Sequence, residues 1–254
     1  GGSDLQLTGG GTLALTANNT YGGETQIAWG TLQATDGGSL GAGGAATNQT
    51  VVQSGSTLAV SNNANFTDEQ LEISGAGVGG LGALHSTSGT NRWGGSVTLT
   101  ANSTIGVDAS TLTISGVLSG SGALQKVGDG TLSLTANNTY SGATTISDGT
   151  LALSAAGRLP SGTHLDVASF ADVDASVPIE VASIDNIGPI SISGGHALTV
   201  GTLGSANGGG YMNGTFSGDG ALVKRGSDSL IVYGTNTYTG ETRIEEGTLR
   251  AYDE

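Results

Sequence analysis

GDGTLSLTANNTYSGATTISDGTLALS, running from Gly128 to Ser154, has two altered copies elsewhere in this chain. Gly9 to Thr35 reads GGGTLALTANNTYGGETQIAWGTLQAT, and Gly226 to Tyr252 reads GSDSLIVYGTNTYTGETRIEEGTLRAY. Each copy keeps an apolar-polar-apolar trio (Leu13 and Leu15, Leu132 and Leu134, Leu230 and Val232), then Asn-Thr-Tyr, a Gly, an Ile and Gly-Thr-Leu. The pattern fixes no reactive residue, so it points to architecture.

Composition limits what that architecture is made of. Of 254 residues, 4% are aromatic and 11% charged, while Gly supplies 47, so any core is built from small aliphatics. Val, Ile and Leu recur at alternate positions, which a Gly/Ser/Asn linker has no reason to keep, and the glycines follow no three-residue collagen period. Net charge is −14, with 21 acidic against 7 basic residues, the latter scattered except for Lys224-Arg225. Without clustered cations, nucleic acid is not an expected partner, nor is an anionic membrane surface. No apolar run is long enough to span a bilayer, so no direct membrane insertion is expected, and no signal peptide opens the sequence. Cysteine is absent, which suits a protein that crosses membranes unfolded.

Short period-two segments predict strands at Thr12 to Thr16, Thr31 to Ala34, Thr57 to Val60, Gln70 to Ile73, Val97 to Thr100, Thr111 to Ile114, Thr131 to Thr135 and Thr150 to Leu153. Pro178 to Val181, Ile190 to Ile192 and Ala197 to Val200 follow the same rule. Gly, Asn, Ser and Asp clusters between them mark turns, and no segment shows helical spacing with convincing caps. The chain therefore reads as all-β. A sandwich or barrel of this length would need a larger core, whereas a solenoid needs only a narrow interior. The intervals between the three copies differ by about 21 residues, close to one coil of a three-sided parallel β-helix, which predicts about ten to twelve coils. In that picture alternate aliphatics stack inward and Asn-Thr pairs occupy corners, with Tyr21, Tyr140 and Tyr238 covering coil edges and keeping their hydroxyls wet.

The GDGTLSLTANNTYSGATTISDGTL stretch strongly resembles the passenger-associated transport repeat of Gram-negative autotransporters, and SGSGALQKVG (119–128) and SGDGALVKRG (217–226) resemble its lead-in. Residues 75–120 are similar to a degenerate unit in which Trp93 stands in the Tyr slot. The resemblance implies a right-handed single-stranded parallel β-helix over residues 1–254, with units at 9–35, 75–120, 119–154 and 217–252. It implies type V secretion, display on or release from the cell surface, and a passenger that supports secretion and folding while presenting an adhesive or self-associating surface. Partners are then host-cell or bacterial surface components or further passengers, with autoaggregation and virulence as the expected setting. The passenger's own outer-membrane barrel is expected outside these residues, since no barrel sequence follows Glu254. Two other classes stay open: the stem of an autotransporter subtilase or esterase, and a β-helical carbohydrate-active enzyme.

Candidate chemistry is sparse. His85, His164 and His196 lack metal-ligand spacing. Gly37-Gly38-Ser39-Leu40-Gly41 matches a nucleophile elbow in spacing only, because Gly-rich AGGAATN follows where a helix is required. Asp172 and Asp174 project from one side of a strand with Asp166 nearby, but the only local aromatic is Phe170. Gly128-Asp129-Gly130 and Gly218-Asp219-Gly220 lack the tandem run of a calcium roll, and no phosphate loop is present. The expectation is no enzyme, with no catalytic, cofactor-binding or metal residue and no cofactor.

Overall fold

A computed structural model describes residues 2–41, 49–206 and 209–252. It is a parallel β-solenoid of about 11 turns. The only helical element among the described residues is a 3-10 turn at Val78–Gly80. Each complete coil visits three faces in order. The first carries Leu5–Leu7, Thr25–Ile27, Thr50–Val52 and Leu71–Gly75, and later Ile179–Val181, Ala197–Val200, Ala221–Lys224 and Thr242–Ile244. The second begins with Thr12–Leu15 and Thr31–Ala34, and the third with Asn65–Phe66 and Asn91–Trp93.

Alternation explains the interior. In a strand successive side chains point to opposite sides, so Leu132 and Leu134 enter the core while Thr131 and Ser133 face outward. Parallel register then stacks like on like. On the second face one column runs Leu13, Leu32, Leu58, Leu84, Ile105, Lys126, Ile146, Val167, Asn186, Met212, Val232 and Ala251. On the third, Phe66 and Trp93 stack with ring centroids 4.7 Å apart above Ile114 and Leu134. Trp93 is thus a rung level with Leu134, ahead of the Tyr slot in which the sequence reading put it.

The three repeat copies do not sit on the same faces. Five coil steps lead from Leu13 to Lys126, and Leu132 lies one face further on. Four steps lead from Leu132 to Phe216, and Leu230 lies two faces further on. The middle copy is therefore turned by one face relative to the outer two. The interval difference of about 21 residues is not one whole coil, as the spacing had suggested; it combines a two-face shortfall with coils of unequal length.

Recurring slots close the corners. Asn138 Oδ1 accepts the Leu118 N–H at 2.9 Å while its Nδ2 donates to Ala136 O at 3.0 Å and Arg158 O at 2.9 Å, tying three successive coils. Asn236 repeats the first of these bonds with Phe216 N–H at 2.8 Å, and Asn19 donates to Ser39 O at 2.7 Å. Tyr21, Tyr140 and Tyr238 each pair their hydroxyl with the Thr four residues on, namely Thr25, Thr144 and Thr242. Tyr140 corrects the expectation of a wet edge: it is 1% exposed, and Thr144 passes the network on to Thr163 at 3.0 Å. Burial pushes its phenol well above the usual tyrosine range.

Lys126 and Lys224 are fully buried members of inward columns. The Lys126 ammonium donates to the carbonyls of Val127, Gly128 and, from the next coil, Asp148 at 3.1, 2.6 and 3.1 Å. Lys224 makes the same three bonds to Arg225, Gly226 and Glu246. An ammonium has three donors, so each is fully used. In the first copy the slot holds Leu7, half-buried on the first face.

Leu132→Ala is expected to cost about 2 to 5 kcal/mol, since a narrow core refills poorly. Tyr140→Ala should cost at least as much, about 3 to 5 kcal/mol. Denaturant midpoints check both, and a clearly milder Tyr140→Ala would place that ring at the surface. Lys126→Met should lose about 1 to 3 kcal/mol through the unpaired carbonyls it leaves.

Candidate functional surface

The residues singled out by sequence do not gather into a catalytic constellation. His85 bonds Asp108 through Nε2 at 2.8 Å, whereas His164 meets Ser183 through Nδ1 at 2.8 Å on a later coil. Among the described residues no three His, Asp or Glu side chains stand close enough to hold a metal ion. Ser39 is buried in a turn and donates to Asp36 O at 2.6 Å; the AGGAATN segment after Gly41 lies outside the described residues. Asp172 and Asp174 project outward from Ala171–Ala175 on the third face, but Asp166 belongs to His164–Val167 on the second. The shallow depression beside them takes in Asp174 with Ser154, Ser176, Ser191 and Ser193, without Asp172. Burial, and then the Asp172 charge, raise the Asp174 carboxyl above its ordinary range.

Asp219 is occupied structurally, accepting the Gly195 N–H at 3.1 Å, and Asp129 lies in the corner whose Gly128 carbonyl Lys126 holds. No helix among the described residues is long and apolar enough to cross a membrane.

A larger opening lies elsewhere, on the third face near the first coils. It is a cleft of about 620 Å³ whose lining includes Asn18, Asp36, Asn62, Asn65, Asp68 and Glu69. Glu69 is 4% exposed and its Oε1 accepts the Thr50 hydroxyl at 2.7 Å. Burial pushes its carboxyl up to about 7, a shift that the Thr50 bond partly opposes. Sequence reading missed this cleft because its members come from turns on successive coils. It also missed the buried lysines, although a signal was present: both lead-ins place Lys in the same slot.

The geometry of repeated coils agrees with comparisons to known proteins. Residues 5–34, 124–153 and 222–251 match the passenger-associated-transport-repeat family. The chain is 35% identical over 93% of its length to the adhesin BmaC autotransporter of Brucella suis biovar 1 (strain 1330). It is 31% identical over 94% of its length to the probable autotransporter YfaL of Escherichia coli (strain K12). The chain is an autotransporter passenger segment. It spans 7% of the first relative and 18% of the second. No solved structure matches this passenger segment.

Glu69 makes the passenger's stability depend on pH. The fold favours the protonated carboxyl, so its contribution is complete below the unfolded value, near 4.5, and is lost as pH rises through about 7. Melting temperature is expected to fall between pH 5 and 8, and Glu69→Gln should flatten that fall; thermal melts across the range check it, and an unchanged slope would show that Glu69 is ionised throughout.

Proposed function

We propose that this segment is one continuous stretch of rigid stalk, with repeat units at 9–35, 75–120, 119–154 and 217–252, that supports secretion and presents an adhesive or self-associating surface outside a Gram-negative cell. Its parent is anchored by an outer-membrane barrel beyond these residues, and it performs no catalysis of its own. The observation that carries the reading is how the repeat divides its chemistry. The recurring Asn, Tyr, Thr and Lys slots bond inward or between coils, as Asn138, Tyr140 and Lys126 do. Outward slots differ from copy to copy: Ala14 and Gln33 in the first, Ser133 and Ala152 in the second, Ile231 and Arg250 in the third. A scaffold whose inside is fixed and whose outside is free to vary suits display. The adhesin name of the Brucella relative supports attachment as the purpose of that display. The acidic exterior keeps such a rod soluble and holds it off a negatively charged surface of its own cell.

Cells displaying the full-length parent provide the test. Deleting residues 5–252 is expected to reduce attachment to host cells, or cell-to-cell clumping, severalfold, with display of the remaining passenger verified by immunolabelling. Unchanged attachment and clumping at equal display would overturn the adhesive reading and leave these residues as a spacer.

A further inference from the structure

On the third face the earliest coils are not sheet. Between Leu15 and Thr25, and again from Ala34 to Gly41, the chain runs through turns, and the face becomes strand only at Asn65–Phe66. The cleft of about 620 Å³ occupies this step. Its bare wall has a steric origin: a Cβ on Gly38 would meet Asn18 Oδ1 at 2.3 Å, and one on Gly37 would meet Asn65 O at 2.0 Å. Asn18, Asn62, Asn65 and Asp68 line it with side chains that make no hydrogen bond within the described residues. We propose that this cleft binds a neutral oligosaccharide, giving a ligand class to the adhesive reading on which its biological sense rests.

The lining selects that chemistry. No Lys, Arg or His is present among the described lining residues, so an anion finds no counter-charge, while Asp36 and Asp68 repel it. Among the described residues Ala64 is the one aliphatic side chain of the lining, which leaves an apolar ligand almost nothing to cover. Among the described residues the carboxylates do not converge as a metal site. A cationic peptide would be drawn to any side of a rod with net charge −14, so the field alone would not bring it to this cleft. A neutral polyol gains nothing from that field. It is held only where unengaged donors and acceptors are grouped, and amides beside carboxylates offer both to neighbouring hydroxyls. With no aromatic ring among the described lining residues for a sugar to stack on, each site is weak, and a rod displayed in many copies compensates through multivalency.

The purified segment is applied to an array of neutral, sialylated and sulfated oligosaccharides, and a retained glycan is then titrated calorimetrically. Neutral glycans are expected to be retained and the sialylated and sulfated ones rejected. Asn65→Ala with Asp68→Ala, at two side chains without intramolecular bonds, should weaken binding at least tenfold with the thermal melt unchanged. Asp172→Ala with Asp174→Ala, on later coils of the same face, should leave it intact. Retention of no neutral glycan, preference for the sulfated ones, equal binding by the Asn65/Asp68 variant, or binding of a lysine-rich peptide in place of any glycan would each overturn the site. If the site fails while the full-length parent still loses attachment on deletion of residues 5–252, the adhesive reading stands and its ligand is of another kind.

Discussion

Parallel register between successive coils is the constraint from which the remaining features follow. Strands here are as short as Asn65–Phe66, and a strand of that length has too few backbone bonds to persist alone. It persists because the coil before and the coil after present the same bonding edge, so Leu132 lies between Leu112 and Leu151 and Leu134 between Ile114 and Leu153. Register also fixes what faces inward, since a one-residue slip would turn Thr131 and Ser133 into the core. The corners must therefore keep coils in phase, and that is the work of Asn138, which bonds the coil on either side of its own. The interior is narrow, so a polar side chain admitted to it must come with partners. Lys126 brings three carbonyls and Thr144 brings Tyr140 and Thr163.

The rotation of the middle repeat by one face shows what kind of unit the repeat is. It is a length of chain that turns corners correctly, and it is indifferent to which side of the rod it starts on. Leu13 and Leu230 serve the second face, and Leu132, in the same slot, serves the third. This works because all three faces ask for the same thing: a small aliphatic side chain pointing in and a bond to each neighbouring coil. Energetically such a rod is close to a sum of nearest-neighbour terms, so copies can recur at unequal spacing without loss of the fold.

Much of the fold was legible because alternation over four residues is enough to mark a strand such as Thr31–Ala34 or Thr111–Ile114. Ile190–Ile192 was legible at three residues, but Thr25–Ile27 and Asn91–Trp93 were not, because two of the three residues in each are polar and show no clear alternation; their partners lie on other coils, as Thr25 pairs with Leu5 and Thr50. Val97–Val107 runs past its predicted end at Thr100 and pairs with strands of two faces. Tyr140 and Lys126 mislead for a different reason. An amphipathic ring and a cation are assigned outward by hydropathy, and only the three-dimensional placement of Thr144 and of the Asp148 carbonyl reveals that their polar ends are satisfied inside. Glu69 and its amide neighbours were illegible in the same way, since Asn18, Asp36 and Asn65 become a lining only when coils stack.

Inside and outside are coupled by charge as well as by register. Asp108, Asp129 and Asp148 occur at the same corner of successive coils, where coil spacing of about 4.8 Å sets like charges against one another. Burial drives the Lys126 ammonium down to about 8, and what opposes that fall is the field of Asp148, Asp129 and Asp108, in that order. The attraction is mutual. The same buried cation that seals three carbonyls therefore offsets repulsion along an acidic corner, with His85 bonded to the outermost of the three at Asp108. Lys224 stands in the same relation to Asp228 and Glu246. A rod of this composition can carry a strongly acidic exterior because two of its cations are placed beneath that exterior, so the repeat's lysine slot belongs to the displayed surface as much as to the core.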